Sequence, residues 1–303
     1  MVRAVFFGSS DSVFSNLHFT ALLGGECTVA AVVDVPPARR VSTNASRTAG
    51  RSFVDIAREK GIPAFEPASP NTPGFIADMR ALNADLFVAV GYMLLLKSGV
   101  LSVPKVIAAN FHASLLPAYR GKHPVFWALR SGEPWCGLTV HEMSPGLDTG
   151  DIIFQVRVPT AETDSVSSLY ERIMTASVPL VPKLIGAVAG GAVPRSPQPA
   201  DGASYHGATS ESDFRISWSM PAAQIVRWVA ATPGQCFVEI GGRRFFLLDA
   251  VAGPGSSGAP AGTVMDAGTE LCRVAAAGGT VGIRRLRSAE GSEMAAVEAF
   301  GGR

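Results

Sequence analysis

The sequence predicts an α/β protein in which a doubly wound, mostly parallel sheet is followed by a smaller β domain. Short apolar runs rich in β-forming residues alternate with helical patterns through the first half of the chain, which is typical of a parallel sheet with helices on both faces. The last third instead carries β-type runs separated by glycine pairs, and this pattern indicates antiparallel hairpins. A length of 303 residues is enough for two domains.

Periodicity predicts each strand and helix of the first half. Several strands are apolar at consecutive positions, as strands buried on both faces must be. The predicted strands are residues 3–7, 28–33, 85–90, 106–110, 138–143 and 152–158. Apolar residues at three- and four-residue spacing predict the helices between them. These helices are residues 12–23, 52–60, 72–82 and 123–131, and another begins near Ser165.

A linker and a C-terminal domain follow. Residues 186–207 are rich in Gly, Pro, Ala and Ser, a composition typical of linkers. We therefore predict an N-terminal domain over residues 1–188, a linker over 189–209 and a C-terminal domain over 210–303. The C-terminal domain begins with a helix at 221–231, and two hairpins then predict a small antiparallel barrel. The paired runs are 237–240 with 243–248, and 271–275 with 280–286.

Composition excludes several kinds of protein. Hydrophobic residues make up 47% of the chain, which excludes a disordered chain. The 26 basic and 25 acidic residues give a net charge of +1, so there is no overall attraction to nucleic acid or to an anionic membrane. The longest nearly unbroken apolar run, 86–96, has 11 residues, against the roughly 20 that span a bilayer. Because the N-terminus also carries no secretory signal, we expect a cytoplasmic protein.

Ligands of open parallel sheets bind beyond the carboxyl ends of the strands, so the residues after each strand are the first candidates for function. The run Gly8-Ser9-Ser10-Asp11 follows the first strand. It lacks the G-x-G-x-x-G pattern, and no acidic residue follows the second strand in a suitable context. A tight turn with a helix-capping Ser or Asp is therefore favoured over a nicotinamide or flavin site.

Asn110 and His112 lie at the end of the fourth predicted strand. Alternate residues of an extended chain point to the same side, so these two side chains project together. A neutral imidazole can accept a proton from an attacking nucleophile, and a carboxamide can donate to an oxyanion, which is what acyl transfer requires. Taken alone, the pair is more typical of a core histidine and a strand-end cap.

A third candidate is the loop Gly146-Leu147-Asp148-Thr149-Gly150-Asp151. A carboxylate in a glycine-flanked loop can approach a histidine, raise its basicity and fix its tautomer. On its own, such a loop is more typical of a turn or a metal-binding loop. The five histidines show no metal-ligand spacing, so no metal is expected. Neither G-x-S-x-G nor a P-loop occurs, so serine-nucleophile chemistry and nucleotide hydrolysis are not supported.

Taken together, these motifs closely resemble those of the 10-formyltetrahydrofolate-dependent formyltransferases. The matching runs are Asn110-x-His112-x-Ser114-Leu-Leu-Pro117-x-x-Arg120-Gly121, then Gly146-Leu-Asp148-Thr-Gly150-Asp151, and further on Asp213-Phe-Arg-Ile-Ser-Trp218. The likeness covers nearly the whole chain. The family includes methionyl-tRNA formyltransferase, enzymes that formylate amino sugars of sugar nucleotides or hydroxyornithine, and the hydrolase-like domain of formyltetrahydrofolate dehydrogenase.

The resemblance implies a Rossmann-like catalytic domain, an OB-like C-terminal domain and 10-formyltetrahydrofolate as the formyl donor. It places the catalytic set on Asn110, His112 and Asp148. Asn110 is then the donor to the oxyanion, His112 a second donor or the proton acceptor, and Asp148 the group that orients His112 or relays the proton. The folate contacts implied in the same way are Leu94, Leu95, Leu96, Ser114, Leu115, Leu116, Pro117, Lys122, Ser144, Pro145, Gly146 and Leu147.

The resemblance leaves the acceptor open. The run from Arg120 to Trp127 is closer to members that act on amino sugars than to many tRNA enzymes. Residues 201–303 carry nine Arg and no Lys against ten Asp and Glu, so their net charge, 9 − 10, is −1. This balance gives no overall basic face for tRNA phosphates. Two arginine clusters, Arg243 with Arg244 and Arg284 with Arg285 and Arg287, fit a local basic patch as well as charges that protect strand edges from aggregation. Residues 36–51 retain four Arg without the basic-loop motif of the tRNA enzymes, and fit a surface loop as well as an acceptor contact.

We therefore expect a small-molecule amine or hydroxylamine as the acceptor, such as an amino sugar nucleotide or an ornithine derivative. Initiator methionyl-tRNA is the alternative. Hydrolysis of formyltetrahydrofolate is a lesser one, because the hydrolase domain of the family departs from Asn at the position of Asn110. A protein that only binds folate is disfavoured because the full catalytic set is intact. The oligomeric state is not predicted.

Overall fold

The computed structural model describes residues 1–40, 51–253, 255, 258–268 and 271–300. The chain divides into two compact units, each built from several segments. Unit 1 comprises Met1–Pro124, Trp135–Val158 and Tyr170–His206. Unit 2 comprises Val125–Pro134, Pro159–Leu169 and Gly207–Arg303. The predicted boundaries of the two domains and the linker, 1–188, 189–209 and 210–303, stay predictions.

Unit 1 is organised around a seven-stranded sheet with the order β3-β2-β1-β4-β5-β7-β8. Its strands are β1 Val2–Gly8, β2 Cys27–Asp34, β3 Ala64–Phe65, β4 Leu86–Val90, β5 Ile107–His112, β7 Trp135–Glu142 and β8 Ile152–Pro159. The first five of these pair in parallel, whereas β7 runs antiparallel to β5. A separate short pair joins β6, Arg120–Gly121, to β9, Tyr205–His206. The predicted doubly wound, mostly parallel sheet is confirmed.

The predicted helices are present, with ends that differ by a residue or two from the prediction. Their bounds are α1 Val13–Leu23, α2 Phe53–Glu59, α3 Pro73–Ala81, α5 Pro124–Ser131 and α6 Val166–Ser177, and α4 Ser98–Leu101 and α7 Leu180–Ala189 are additional. Ser12, Ser52 and Thr72, each predicted as the first residue of a helix, are its N-cap. Their side-chain oxygens accept main-chain N–H groups of the first turn, which is why the helices begin there.

Aromatic and aliphatic side chains cover both faces of the sheet. On β1, Phe6 packs against Phe19 of α1 and Phe53 of α2, with ring centroids 5.2 Å apart in both pairs. Its neighbours Val5 and Phe7 point to the opposite face and join the core that contains α3. Because successive residues of a strand point to opposite sides, a strand covered by helices on both faces is apolar throughout.

One helical stretch, Val166–Ala189, is long and apolar enough to cross a membrane, with a mean hydropathy of 1.3. It is the single such stretch in the part of the chain that the structure describes. It is divided into α6 and α7, and 44% of its apolar window is buried inside the protein. Since core helices have the same composition, this stretch is weak evidence for a membrane segment.

Unit 2 contains α8, Ala222–Ala231, α9, Ala296–Phe300, and two four-stranded antiparallel sheets with the orders β10-β11-β16-β17 and β12-β15-β14-β13. The strands are β10 Phe237–Ile240, β11 Arg243–Leu247, β12 Val251–Gly253, β13 Val264–Ala267, β14 Cys272–Ala276, β15 Gly279–Ile283, β16 Arg285–Ser288 and β17 Glu293–Ala295. Both predicted hairpins are present, as β10 with β11 and β14 with β15. The smaller β domain is thus confirmed.

The predicted single strand 280–286 is wrong, because the chain changes sheets at Arg284. β15 pairs with β12 and β14 in one sheet, whereas β16 pairs with β11 and β17 in the other. Between them, the main-chain N–H of Arg284 donates to the Asp249 carboxylate at 3.0 Å, and its carbonyl accepts from Ala296 N at 2.8 Å. The apolar run is continuous in sequence, so periodicity alone does not reveal such a crossing.

A buried histidine, His18 on α1, ties that helix to the end of α6. Its Nδ1 lies 2.8 Å from the Phe14 carbonyl oxygen and its Nε2 lies 2.9 Å from the Ser177 hydroxyl. Phe111 of β5 contacts its ring on the sheet side. Burial lowers the pKa of His18 from 6.5 to about 4, although the bond to Phe14 works in the opposite direction. The imidazole is therefore neutral in the folded protein at neutral pH.

We predict that acid destabilises the fold through His18. Between its unfolded pKa of 6.5 and its folded pKa of about 4, the unfolded chain binds a proton that the folded chain does not. The contribution of His18 is complete above pH 6.5 and is lost as the pH falls towards 4, a loss of up to about 3 kcal/mol. Urea unfolding of wild type and of His18→Gln between pH 7.5 and 4.5 measures this loss in the free energy of unfolding. Equal pH dependence in both proteins would contradict the prediction.

Candidate active site

Three polar side chains share one face of the sheet where β5 and β7 pair. Asn110 and His112 are alternate residues of β5, and the antiparallel register places His141 of β7 directly opposite Asn110. Side chains of directly opposed residues lie on the same face. Phe111, between the two β5 residues, points to the other face and contacts the ring of His18. The pairing of two strands thus places an amide and two imidazoles together.

The loop after β7 brings Asp148 to this group. Its carboxylate Oδ2 lies 3.6 Å from His112 Nδ1, and its Oδ1 lies 3.5 Å from His141 Nε2. Asn110 Nδ2 donates to Oδ1 at 3.4 Å, and the main-chain N–H of Gly121 donates to Oδ2 at 2.9 Å. Asp148 has a φ of 53°, in the left-handed region that non-glycine residues seldom adopt. The three residues predicted from the sequence are therefore brought together.

His141 is a member of this group that the sequence prediction missed. Its Nδ1 lies 2.8 Å from the Glu142 carbonyl oxygen, and since a carbonyl only accepts, Nδ1 carries the proton. The deprotonated Nε2 then accepts a hydrogen bond from Asn110 Nδ2 at 3.1 Å. A histidine within an apolar predicted strand was the available signal. The sequence does not give the strand register that sets it opposite Asn110.

His112 is held in one tautomer by the main chain. Its Nε2 lies 2.9 Å from the Tyr119 carbonyl oxygen, so Nε2 carries the proton and Nδ1 faces the Asp148 carboxylate. Burial lowers the pKa of His112, and the charge of Asp148 and the bond to Tyr119 oppose that effect only in part. At neutral pH the ring is therefore neutral, with the Nδ1 lone pair available as a base.

Asp148 is an ionised carboxylate despite its burial. Burial raises its pKa, but the contact with His141, the positive charge that His112 can take and the N–H of Gly121 together lower the pKa to about 2. A fixed negative charge beside a neutral imidazole stabilises the protonated form of that imidazole. The group can therefore accept a proton on His112 and hold it, while the Asn110 amide supplies a neutral hydrogen-bond donor.

Two glycines of the sequence motifs are required by close packing around the site. A Cβ on Gly121, which has a φ of 96°, would collide with the His206 carbonyl oxygen. A Cβ on Gly150 would collide with the Glu142 carbonyl oxygen. Any side chain at these positions would displace the loop that holds Asp148 or the strand that donates to it. This explains physically why glycine follows Arg120 and Thr149.

The predicted folate contacts are divided between exposed and buried side chains, and they stay predictions. Leu95 is 57% and Leu147 45% exposed, and Leu94, Leu115, Pro117 and Ser144 are half-buried. Lys122, Pro145 and Gly146 are exposed. The side chains of Leu96, Ser114 and Leu116 are in the core, and the Ser114 hydroxyl donates to the Ala118 carbonyl oxygen at 2.7 Å.

The loop after the first strand, residues 8–11, is bonded to the end of β2 through Ser10 and Asp34. Asp34 ends β2, and its buried carboxylate accepts from Ser10 N at 2.9 Å and from Val35 N at 2.8 Å. Arg40 pairs with the same carboxylate, so Asp34 is engaged within the fold. Of the arginines between 36 and 51, Arg51 pairs with Glu59, and Arg47 lies outside the described residues.

No metal centre is indicated by the side chains that the structure describes. In that part of the chain, no group of three or more His, Cys, Asp or Glu residues is arranged to hold a metal ion. The cluster of His112, His141 and Asp148 contains one carboxylate between two imidazoles, and each imidazole has its outer nitrogen on a main-chain carbonyl. These bonds suit proton transfer within the cluster.

Comparison with known proteins identifies the family. Residues 2–185 match the model of the family described as formyl transferase, and residues 209–303 match the model of its C-terminal domain. The chain is 32% identical over 304 residues to the methionyl-tRNA formyltransferase of Pseudomonas paraeruginosa. That alignment covers 100% of this chain and 96% of the Pseudomonas protein. It is also 32% identical over 309 residues to the methionyl-tRNA formyltransferase of Methylobacterium sp., again covering 100% and 96%.

A solved structure shares the fold. The N-formyltransferase from Helicobacter canadensis, in complex with folinic acid and dTDP-3-aminofucose, superimposes with a TM-score of 0.69 at 16% identity, covering 93% of this chain and 98% of that one. The two family matches together span most of the chain. This chain therefore belongs to the formyl transferase family, whose members transfer a formyl group from formyltetrahydrofolate to an amine, as the sequence resemblance predicted.

Proposed function

We propose that this protein formylates the amino group of methionyl-tRNA, with 10-formyltetrahydrofolate as the formyl donor. The observation that carries the proposal is similarity along the whole chain to relatives named for this reaction, four of which cover 98–100% of the chain at 29–32% identity. The small-molecule acceptor expected from the sequence has less support from these relatives. The proposal includes a cytoplasmic location, where charged tRNA occurs.

The geometry supports a role for each of the three predicted residues. The acceptor nitrogen attacks the formyl carbon of the donor, and negative charge develops on the formyl oxygen. Asn110 donates to that oxygen. One Nδ2 hydrogen is held by His141 at 3.1 Å, and the other makes the longer, 3.4 Å bond to Asp148. In this proposal the oxyanion takes the place of Asp148 as the acceptor of that second hydrogen. A positioned donor of this kind stabilises the transition state.

His112 and Asp148 handle the proton in this proposal. The Nδ1 lone pair of His112 accepts the proton that the attacking nitrogen loses, and the Asp148 carboxylate 3.6 Å away stabilises the imidazolium. His112 then returns the proton to the folate nitrogen as its bond to the formyl carbon breaks. Residues Leu95 and Leu147 expose apolar side chains on the two predicted folate loops, and such surface is suited to a flat pterin ring.

We predict that Asn110→Ala lowers the turnover of formyl transfer by about 10²–10³-fold, the usual cost of losing one oxyanion donor. Asn110 is half-buried, two residues before the end of β5, so we expect the variant to fold, which circular dichroism checks. Release of tetrahydrofolate under saturating donor measures the rate. Gln224→Ala, which changes an amide on α8, is the matched control. Near-normal turnover in Asn110→Ala or in His112→Ala protein would refute the proposed roles.

A small-molecule amine is the second candidate acceptor, because the charge pattern of unit 2 favours it. Arg244 pairs with Glu211 at 2.8 Å, and Arg285 pairs with Glu293 at 3.3 Å. Arg287 donates to the Gly234 carbonyl oxygen at 2.8 Å. Thus one arginine of the first C-terminal cluster and two of the second have side-chain partners within unit 2. Such pairs reduce the positive charge available to tRNA phosphates.

The acceptor can be decided by salt dependence. Phosphate contacts release counterions, so the KM for initiator methionyl-tRNA should rise at least about tenfold between 50 and 200 mM salt if about three phosphates are contacted. We predict this rise, together with faster formylation of the tRNA than of amino sugar nucleotides or ornithine derivatives. The KM for the folate donor, measured in the same series, is the control for salt effects on the catalytic unit.

The same assay distinguishes the remaining acceptors. Formylation of a small amine, with no reaction on charged tRNA, would replace the proposed acceptor by the second candidate. Release of tetrahydrofolate and formate without any acceptor would favour the hydrolase alternative. Either outcome leaves the roles of Asn110, His112 and Asp148 open to the substitution test above, because those roles concern the formyl carbon.

A further inference from the structure

A segment with the composition of a linker lies against the candidate site. Within residues 194–200, Gln198 is half-buried while its neighbours are exposed. Ser196 exchanges two main-chain hydrogen bonds with Ile152, at 2.8 and 2.9 Å. Further along, the Ser204 hydroxyl accepts from Tyr119 N at 2.8 Å. Residues 196–206, which we call the strap, are therefore anchored to unit 1 on both sides of Gln198.

The side-chain amide of Gln198 forms hydrogen bonds to both segments that hold the site, the one with Arg120 and the one with Asp148 and Gly150. Its Oε1 accepts from Arg120 Nε at 3.1 Å and from Arg120 Nη2 at 2.7 Å. Its Nε2 donates to the carbonyl oxygens of Asp148, at 2.8 Å, and Gly150, at 2.7 Å. One primary amide has two donor hydrogens and two acceptor lone pairs, so these four bonds saturate it.

These bonds complete a ring through Asp148. The main-chain carbonyl of Asp148 is held by Gln198, and its carboxylate is held by the N–H of Gly121. Gly121 follows Arg120 in the chain, and the Arg120 guanidinium donates a hydrogen bond to Gln198 Oε1. Both ends of Asp148, its backbone and its side chain, are thus fixed to one two-residue strand. Asp148 needs such support because its φ of 53° is unfavourable for a residue with a side chain.

We infer that Gln198 is a positioning residue of the reaction, one that sets the Asp148 carboxylate against His112 through the main chain of the loop. The inference rests on the proposed roles of His112 and Asp148. The charged and titratable groups that face His112 are Asp148 and His141, and its Nε2 is fixed on the Tyr119 carbonyl oxygen. Among these partners, Asp148 is bonded directly to Gln198 through its main-chain carbonyl oxygen.

Substitution of Gln198 by Met tests the inference, because Met has a similar length and no amide. The first readout is the main-chain N–H of Gly121, which reports its bond to the Asp148 carboxylate without any need for activity. In Gln198→Met we expect its proton resonance to move upfield and its hydrogen exchange to become at least about tenfold faster, because a hydrogen bond to a charged acceptor is weakened.

Gln155→Met is the matched control. The Gln155 amide donates to the Leu116 carbonyl oxygen and to Thr139 Oγ1, both at 2.9 Å, within the same unit. Its loss removes a comparable pair of bonds and leaves Asp148 untouched. We expect the Gly121 resonance to be the same as in wild type. If the Met variant does not fold, the same Gly121 measurements are made on Gln198→Ala, whose small side chain leaves room for solvent.

The second readout is kinetic. We expect kcat of the Gln198 variants to fall by about tenfold to a hundredfold, as small misplacements of reacting groups do, with KM for the folate donor changed less than about twofold. An unchanged Gly121 resonance in folded Gln198 variants overturns the inference, and so does a shifted resonance with wild-type kcat. If the wild type transfers no formyl group, the proposed function fails, and the resonance still decides whether Gln198 positions Asp148.

Discussion

The site depends on one buried negative charge. The side chain of Asp148 is 9% exposed, and removing a carboxylate from water costs several kcal/mol unless hydrogen bonds replace the lost solvation. Here the replacement comes from two hydrogen-bond donors, the N–H of Gly121 and the Asn110 amide. These two donors lie on separate strands, β6 and β5, so the charge is stable only when both strands have folded around the loop that carries Asp148.

The same charge determines what the two histidines can do. Each ring has one nitrogen on a main-chain carbonyl, which fixes the proton there and turns the other nitrogen towards Asp148. On His141 that inner nitrogen accepts from Asn110 and orients the amide. On His112 it has no bond shorter than the 3.6 Å contact with the carboxylate among those the structure describes. The two rings are therefore chemically distinct, one orienting an amide and the other able to gain a proton.

Unusual backbone conformations place these groups, and they occur where the two loops meet. Tyr119 and Asp148 have positive φ angles, as does Gly121, whose N–H donates to the Asp148 carboxylate. Such conformations cost free energy for residues that carry a Cβ. They persist here because hydrogen bonds from several directions hold the loops, including those of the strap to Arg120 and Asp148. Rigid loops of this kind are required where a misplacement of about 1 Å can lower the rate by about a hundredfold.

The sequence by itself determined the class of fold, the helix starts at Ser12, Ser52 and Thr72, and the pairing of Asn110 with His112 on one face. All of these follow from local periodicity and capping chemistry, which act over a few residues. The motif resemblance gave Asp148 and the family. Only the tertiary structure decided that His141 joins the group, that the chain changes sheets at Arg284, and that Gln198 lies against Asp148. Those facts depend on strand register and on contacts between residues 27–78 positions apart, and composition or spacing does not encode such contacts.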